Sequence, residues 1–359
     1  MKIDRGKKRR GFAVIVALIA ITVLAIMAAG FALSMKVETV LAANANADEQ
    51  MQWLGRAGME YARWILSQEA AIAGQPYDSL NQKWAGGEGD MSESNSVLAG
   101  ISLDNVPVGG VGTISLKIID HERFINVNTA NSAVLQQVLT TMGVDANDLS
   151  VISDSIQDWV QSGDSPRVAG AKNDWYQSLT PPYYCKEAPM DDLSELLLVK
   201  GVTSAMYWGG SETNQPNAFH HKLGFGNSPG ETPDYAFGFT NVFTTVSTGQ
   251  LNINTADATV LQLLPGMDAE SAQNIIKVRS GPDGVDGTID DTPFRSVSQL
   301  SAAGVNPQAL QQMNQLCTVR SSTFDATVTA RIGSLTRVFH AILIRNTGTD
   351  IQVVGFYWQ

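Results

Sequence analysis

The sequence predicts an α+β protein: a long N-terminal helix joined to an antiparallel-sheet head, with a large α-helical domain inserted between the strands of that head. Three observations predict it. An uncharged apolar run follows a short basic leader, strand patterns stand at 112–128 and 323–358, and the stretch between them has helical periodicity broken by Gly and Pro.

The N-terminal segment divides at Gly11. Before it, Lys2, Arg5, Lys7, Lys8, Arg9 and Arg10 outnumber the single Asp4; after it, Phe12 to Met35 contains no charged side chain. As a helix this run is about 36 Å long, enough to cross a hydrocarbon core of about 30 Å. The basic flank keeps the N-terminus cytoplasmic and sends the remainder outward, giving a single-pass inner-membrane protein with a periplasmic globular region. A cleavable secretory signal is the alternative, and Ala42-Ala43-Asn44-Ala45 would be its cleavage region.

The formal charge is −11, and without the leader it falls to −16. Such a surface repels nucleic acid and anionic headgroups. Cys185 and Cys317 would lie in an oxidising compartment, where a disulfide between them is one reading and two separate buried thiols the other.

Beyond the membrane, Val37, Val40 and Leu41 and then Trp53, Leu54, Ala57, Tyr61, Trp64 and Ile65 keep helical spacing, so one helix should run to about Ser67. Residues 74–95 read as a polar, Gly-rich loop. Alternation of Ile114, Leu116 and Ile118 with Ser115 and Lys117 predicts a strand that turns near Asp120-His121. Thr323–Ile332, Val338–Arg345 and Ile351–Trp358 predict three more strands, with Asn346-Thr347-Gly348 as the last turn. The expected division is leader 1–11, transmembrane stem 12–35, first part of the head 36–128, helical insert 129–318 and C-terminal strands 319–359.

The insert carries a repeat. Ile125-Asn126-Val127-Asn128-Thr129-Ala130, followed by Val134-Leu135, recurs as Leu251-Asn252-Ile253-Asn254-Thr255-Ala256, followed by Val260-Leu261. Each copy should end a short strand and cap the next helix through an Asn or Thr oxygen. The second continues as Leu263-Leu264-Pro265-Gly266-Met267-Asp268, then Ala272, Ile275-Ile276 and Arg279, and later Phe294, Ser296, Val297 and Leu300. This resembles a helix-hairpin-helix unit, used by some competence proteins to grip DNA phosphates. Asp268 stands where a second Gly usually lets a phosphate approach, so a structural hairpin is the favoured reading over a DNA-binding one.

Several features together resemble the K-class minor pseudopilins of type II secretion systems. They are the Arg10-Gly11-Phe12 junction, Ser155-Ile156-Gln157-Asp158-Trp159 with Arg167, Gly170-Ala171, Tyr176 and Pro181-Pro182-Tyr183, then Ser194-Glu195-Leu196 leading to Val199-Lys200-Gly201, and the paired repeats. The resemblance implies a pilin-like stem and head, cleavage between Gly11 and Phe12 by a prepilin peptidase, and N-methylation of Phe12. It implies assembly through the inner-membrane platform with the major pseudopilin and the I- and J-class minor pseudopilins. The insert would then face the secretion channel or the cargo. Most pilins have Glu at the fifth mature position, where this chain has Val16. A carboxylate there offsets a neighbour's terminal amine among apolar helices, so its absence suits a first subunit. A minor pilin of a type IV pilus is the closest rival.

Calcium is the expected cofactor. Asp283, Asp286, Asp290 and Asp291 stand at short spacings on a Gly-rich stretch, as oxygen ligands of a hard cation can, and type II pseudopilins often carry calcium. Asp158, Asp164 and Asp174 form a weaker set. No catalytic residues are expected. Gly226-Asn227-Ser228-Pro229-Gly230 matches a nucleophile elbow, but Pro229 has no N–H to give an oxyanion hole, and His220-His221 lacks metal-ligand companions.

Overall fold

The computed structural model describes residues 10–89, 96–209 and 235–358. Helix α1 (Arg10–Ala70) is a single element of 61 residues. Nothing in its sequence interrupts it, since the run contains no Pro and its glycines leave the backbone ladder intact. After it come β1 (Val106–Val108), β2 (Gly112–Asp120) and β3 (Ile125–Asn126), then α2 (Ser132–Met142), α3 (Ala146–Val160), α4 (Asn173–Gln177), α5 (Ser204–Trp208) and α6 (Phe239–Val242). Next are β4 (Phe243–Thr244), β5 (Leu251–Asn252), α7 (Ala258–Leu261), α8 (Ala269–Arg279) and α9 (Pro307–Leu316). The chain closes with β6 (Cys317–Thr318), β7 (Thr323–Ile332), β8 (Leu335–Arg345) and β9 (Ile351–Trp358).

Five strands form one antiparallel sheet in the order β1-β2-β7-β8-β9. Alternation sends Ile114, Leu116, Ile118, Val328, Phe339 and Leu343 to one face, where Met51, Leu54, Ala62, Ile65 and Leu66 of α1 cover them. The helix approaches closely because it presents glycine there. A Cβ on Gly55 would stand 2.7 Å from the Phe339 ring, and one on Gly58 would stand 2.2 Å from Val328 Cγ1. Each glycine costs the helix about 1 kcal/mol, whereas each large side chain it lets the sheet bury returns about 1.5–3 kcal/mol.

The insert leaves the sheet after Asp120 and returns at Thr323, and these residues lie at one end of the sheet, beside Arg345 and Ile351. That is also where α1 finishes, with Ala70 packed beside Gly348 of the β8–β9 turn. Asp48, earlier on α1, pairs with Arg337 at 2.6 Å near the opposite end. The insert therefore sits at the end of the head away from the apolar half of α1.

Within the insert the duplication is deeper than the sequence repeat. Strand β3 pairs in parallel with β4, and β5 pairs in parallel with β6, so each copy begins and ends on a short parallel bridge. Between the bridges each copy holds two tight turns of one design. Gly143, Gly201, Gly266 and Gly304 have φ of 94°, 87°, 79° and 82°. Each is followed by an apolar residue and then by a helix N-cap: Asp145, Thr203, Asp268 and Asn306 accept first-turn N–H bonds at 2.9, 3.2, 2.8 and 2.8 Å. Positive φ at the turn explains the glycine, and the orphan amides of the next helix explain the polar cap.

The repeat's own polar residues do a different job from the capping expected of them. Asn126 and Asn252 each accept from the amide two residues on, at 2.9 Å in both copies. Asn128 and Asn254 bridge to a distant backbone as a strand would: Asn128 binds Met190 N and O at 2.7 and 3.1 Å, and Asn254 binds Phe294 N and O at 2.8 and 2.9 Å. With those oxygens committed, the cap of α2 falls to Asn131, and Asp257 stands at the start of α7 without a side-chain cap bond.

Candidate functional site

Two places carry the chemistry the sequence suggested, the start of the stem and the acidic loop after α8, and the structure adds a third, the junction of insert and head. At the stem, Gly11 and Phe12 lie in the first turn of α1, and residues 1–9 of the leader are outside the described residues. Phe12 and Val16 are exposed, like the rest of the apolar run, whose best window has a mean hydropathy of 2.9. Such a helix is long and apolar enough to cross a membrane.

In the acidic loop the four carboxylates divide. Asp290 Oδ1 accepts from Thr288 Oγ1 at 2.8 Å and Asp291 Oδ1 from the same hydroxyl at 3.3 Å, so these two converge. Asp283 N donates to Asp290 Oδ2 at 3.2 Å. Burial, and secondarily the charge of Asp286, raise the pKa of Asp291, which a cation there would relieve. Asp286 is otherwise engaged: Arg279 holds both its oxygens, at 3.1 and 2.7 Å, while donating to Ile253 O and Ala256 O. Among the described residues no three His, Cys, Asp or Glu side chains converge as a metal cluster. The loop therefore brings together the Asp290 and Asp291 carboxylates alone of the four: Asp283 contributes its N–H and turns its own Oδ1 to Val285 N at 2.8 Å, and Asp286 is taken by its guanidinium partner.

The weaker acidic set does not assemble. Buried Asp158 accepts from Arg167 N at 3.0 Å, and the ammonium of Lys172, itself 6% exposed, already sits on the carbonyls of Asp158 and Gln161 at 2.7 and 2.6 Å. Asp164 and Asp174 are exposed to solvent on separate segments. A resident protein cation takes the place that a metal would need.

The tract that carries the family resemblance is packing. Trp159 stacks edge-on to Tyr176 at 5.3 Å and donates to Glu195 Oε2 at 3.1 Å, and Glu195 Oε1 accepts from Lys186 at 2.6 Å. A Cβ on Gly170 would fall 1.9 Å from Asp158 Oδ2. Cys185 and Cys317 are separate buried thiols, so the disulfide reading is corrected. Cys185 lies 3.6 Å from Asp158 O and Cys317 3.6 Å from Met313 Sδ, each packed into its own part of the insert, and burial pushes the Cys317 thiol up to about 12. His220-His221 and Gly226 to Gly230 lie outside the described residues.

Sequence reading missed the junction. Glu122, fully buried in the turn after β2, accepts from Thr248 N at 3.1 Å through one oxygen, and from Ser322 N and Thr323 N at 3.2 and 2.9 Å through the other. Thr248 and Ser322 are equivalent positions, each four residues after the Thr of a closing strand, so one carboxylate clamps both copies. Asp120 accepts from Thr255 Oγ1 and Ser321 Oγ at 2.6 Å each, and Asp78 pairs with Arg345 at 2.5 Å. The only signal in the sequence is a pair of acids at the end of an apolar strand.

Residues 114–208 match the family model of the first domain of type II secretion system protein K, and residues 246–318 match a helix-hairpin-helix model. Among curated proteins, a putative type II secretion system protein K of Escherichia coli strain K12 is 35% identical over 21% of this chain and 23% of its own length. The type II secretion system protein K of Aeromonas hydrophila is 23% identical over 56% of this chain and 61% of its own. The alignments thus span less than two thirds of these relatives. A solved chain of the GspK-GspI-GspJ complex from enterotoxigenic Escherichia coli superposes with a TM-score of 0.59 at 18% identity, covering 88% of this chain and 98% of that one, and so shares its fold. In the domain at residues 114–208, in the relatives it aligns with and in its fold, the chain is similar to the K proteins of type II secretion systems.

Proposed function

We propose that the chain is a non-enzymatic minor pseudopilin that stands first in its pseudopilus, at the tip. Its stem would lie in the inner membrane after a prepilin peptidase cuts between Gly11 and Phe12, with head and insert in the periplasm. The observation that carries this reading is the position of the insert, at the end of the sheet where α1 finishes and away from the apolar stem. A subunit stacked beyond that end would meet the insert. Val16 supports the same order, because a subunit with no neighbour ahead of it meets no terminal amine and needs no carboxylate among apolar helices.

The partners proposed are the I- and J-class minor pseudopilins, in keeping with the complex named for the structural neighbour. The test is copurification of the full-length chain in detergent with I- and J-class subunits of the same system. A ternary complex is expected, and recovery of the chain alone from every combination would overturn the tip assignment. Calcium belongs to the same reading, at Asp290 and Asp291. Titration calorimetry should show heat with calcium that is lost in D290N/D291N; a native chain giving neither heat nor a raised Tm would remove calcium from the proposal.

A further inference from the structure

Four ionisable side chains are buried together where the insert joins the head: Asp78, Asp120, Glu122 and Arg345, each 6% exposed or less. They come from different elements. Asp78 is on the chain that follows α1, Asp120 ends β2, Glu122 lies in the turn beyond it, and Arg345 ends β8. The four comprise one guanidinium and three carboxylates, and the guanidinium is paired, because Arg345 Nη2 lies 2.5 Å from Asp78 Oδ2. Two carboxylates remain without a cation of their own. Of the other charged groups nearby, His121 hydrogen-bonds Thr244 Oγ1 at 2.9 Å and faces Asp325 of β7, and Arg123 pairs with Asp257 at 2.6 Å.

The donors around the two acids decide which of them is charged. Glu122 collects three backbone N–H bonds, which suit a carboxylate. Asp120 Oδ1 accepts from Glu122 N at 2.7 Å, while Oδ2 is met at 2.6 Å by two hydroxyls, which can equally accept a proton from an acid, and more distantly, at 3.4 Å, by the Asn252 amide. The two acids are near neighbours, since the amide of Glu122 is itself on Asp120 Oδ1, and burial first, then the Glu122 charge, hold Asp120 well above the usual carboxylate range.

We propose that the insert is latched to the head by a proton carried on Asp120 beside the Glu122 carboxylate, and that release of this proton to solvent as pH rises loosens the junction. With the proton present, the site holds one charge on Glu122, shared by amides from both copies. Without it, two adjacent buried carboxylates repel, and the amides that Glu122 gathers lose their shared acceptor, Thr248 on the insert side and Ser322 and Thr323 where the chain re-enters the sheet. The sign follows from linkage: an acid whose folded pKa is raised stabilises the folded state at low pH, and that contribution is lost as pH rises through the folded value. This is the reverse of ordinary acid denaturation.

The test is amide hydrogen exchange on the full-length chain in detergent, from about pH 6 to about pH 9.5, corrected for the chemical exchange rate. At Thr248, Ser322 and Thr323 the native chain should lose at least about tenfold of its protection across that range, the equivalent of one pK unit, while Leu116 and Val328 in the sheet keep theirs. D120N, the neutral isostere of the protonated acid, should fold and hold those amides protected at both ends of the range. Unchanged protection in the native chain, an equal loss in D120N, or failure of D120N to fold would each overturn the latch.

Discussion

Gly58 shows how the head is fitted to the stem. An added Cβ would sit 2.2 Å from Val328 Cγ1, with the Val328 side chain fully buried in the sheet. The valine has nowhere to move, so α1 must lift. Overpacking of this kind costs about 1–3 kcal/mol, more than the helix propensity that alanine returns. Gly58→Ala should therefore lower the Tm of the head, whereas Gly74→Ala, strained only by its positive φ and with open space around it, should cost less. Chemical or thermal denaturation of the two variants checks the order. Gly58 was invisible to hydrophobic patterning, which reads where apolar side chains fall and is silent where a missing side chain lets two backbones meet.

At the scale of elements, the strong periodic signals were legible and the short ones were not. The stem helix, expected to about Ser67, ends at Ala70, and the last three strands fall where alternation placed them, with β8 starting three residues earlier, at Leu335. The two-residue strands β3, β4, β5 and β6 bury both their residues or nearly so and offer no alternation to read. Their pairing brings together residues more than sixty apart. The repeat did point to duplication, but its capping role was misread because a polar side chain that can cap a helix can equally close its own turn. Arg279 tests the second copy. Its guanidinium satisfies two carbonyls and Asp286 while 3% exposed, so Arg279→Met strands a partly buried carboxylate and two acceptors. A loss of about 3–5 kcal/mol is expected. Adding Asp286→Leu should recover part of it, and a double mutant no better than R279M would mean that the carbonyl bonds carry the whole effect.

For the whole molecule the decisive position lies in the stem. Val16 is one of a continuous series of exposed apolar side chains on α1, and nothing in the folded chain covers it, so in the proposed pseudopilin its environment would be lipid or another subunit's helix. Placing a carboxylate there separates two assembly orders by charge alone. In a subunit with a neighbour ahead of it, the new acid meets that neighbour's terminal amine and the pair is tolerated. In a first subunit it meets none, and an unpaired carboxylate within the apolar region costs up to about 2.5–3.5 kcal/mol, or about a hundredfold in an equilibrium constant. Val16→Glu should then lower recovery of the complex with I- and J-class subunits by at least about tenfold, allowing for relief near the membrane surface, with Val16→Leu unaffected. Secretion of the system's cargo should fall in parallel. A Val16→Glu chain that assembles and supports secretion as well as the native one would place a neighbour beyond it, and the insert would then have to be accommodated beside that neighbour rather than beneath open space.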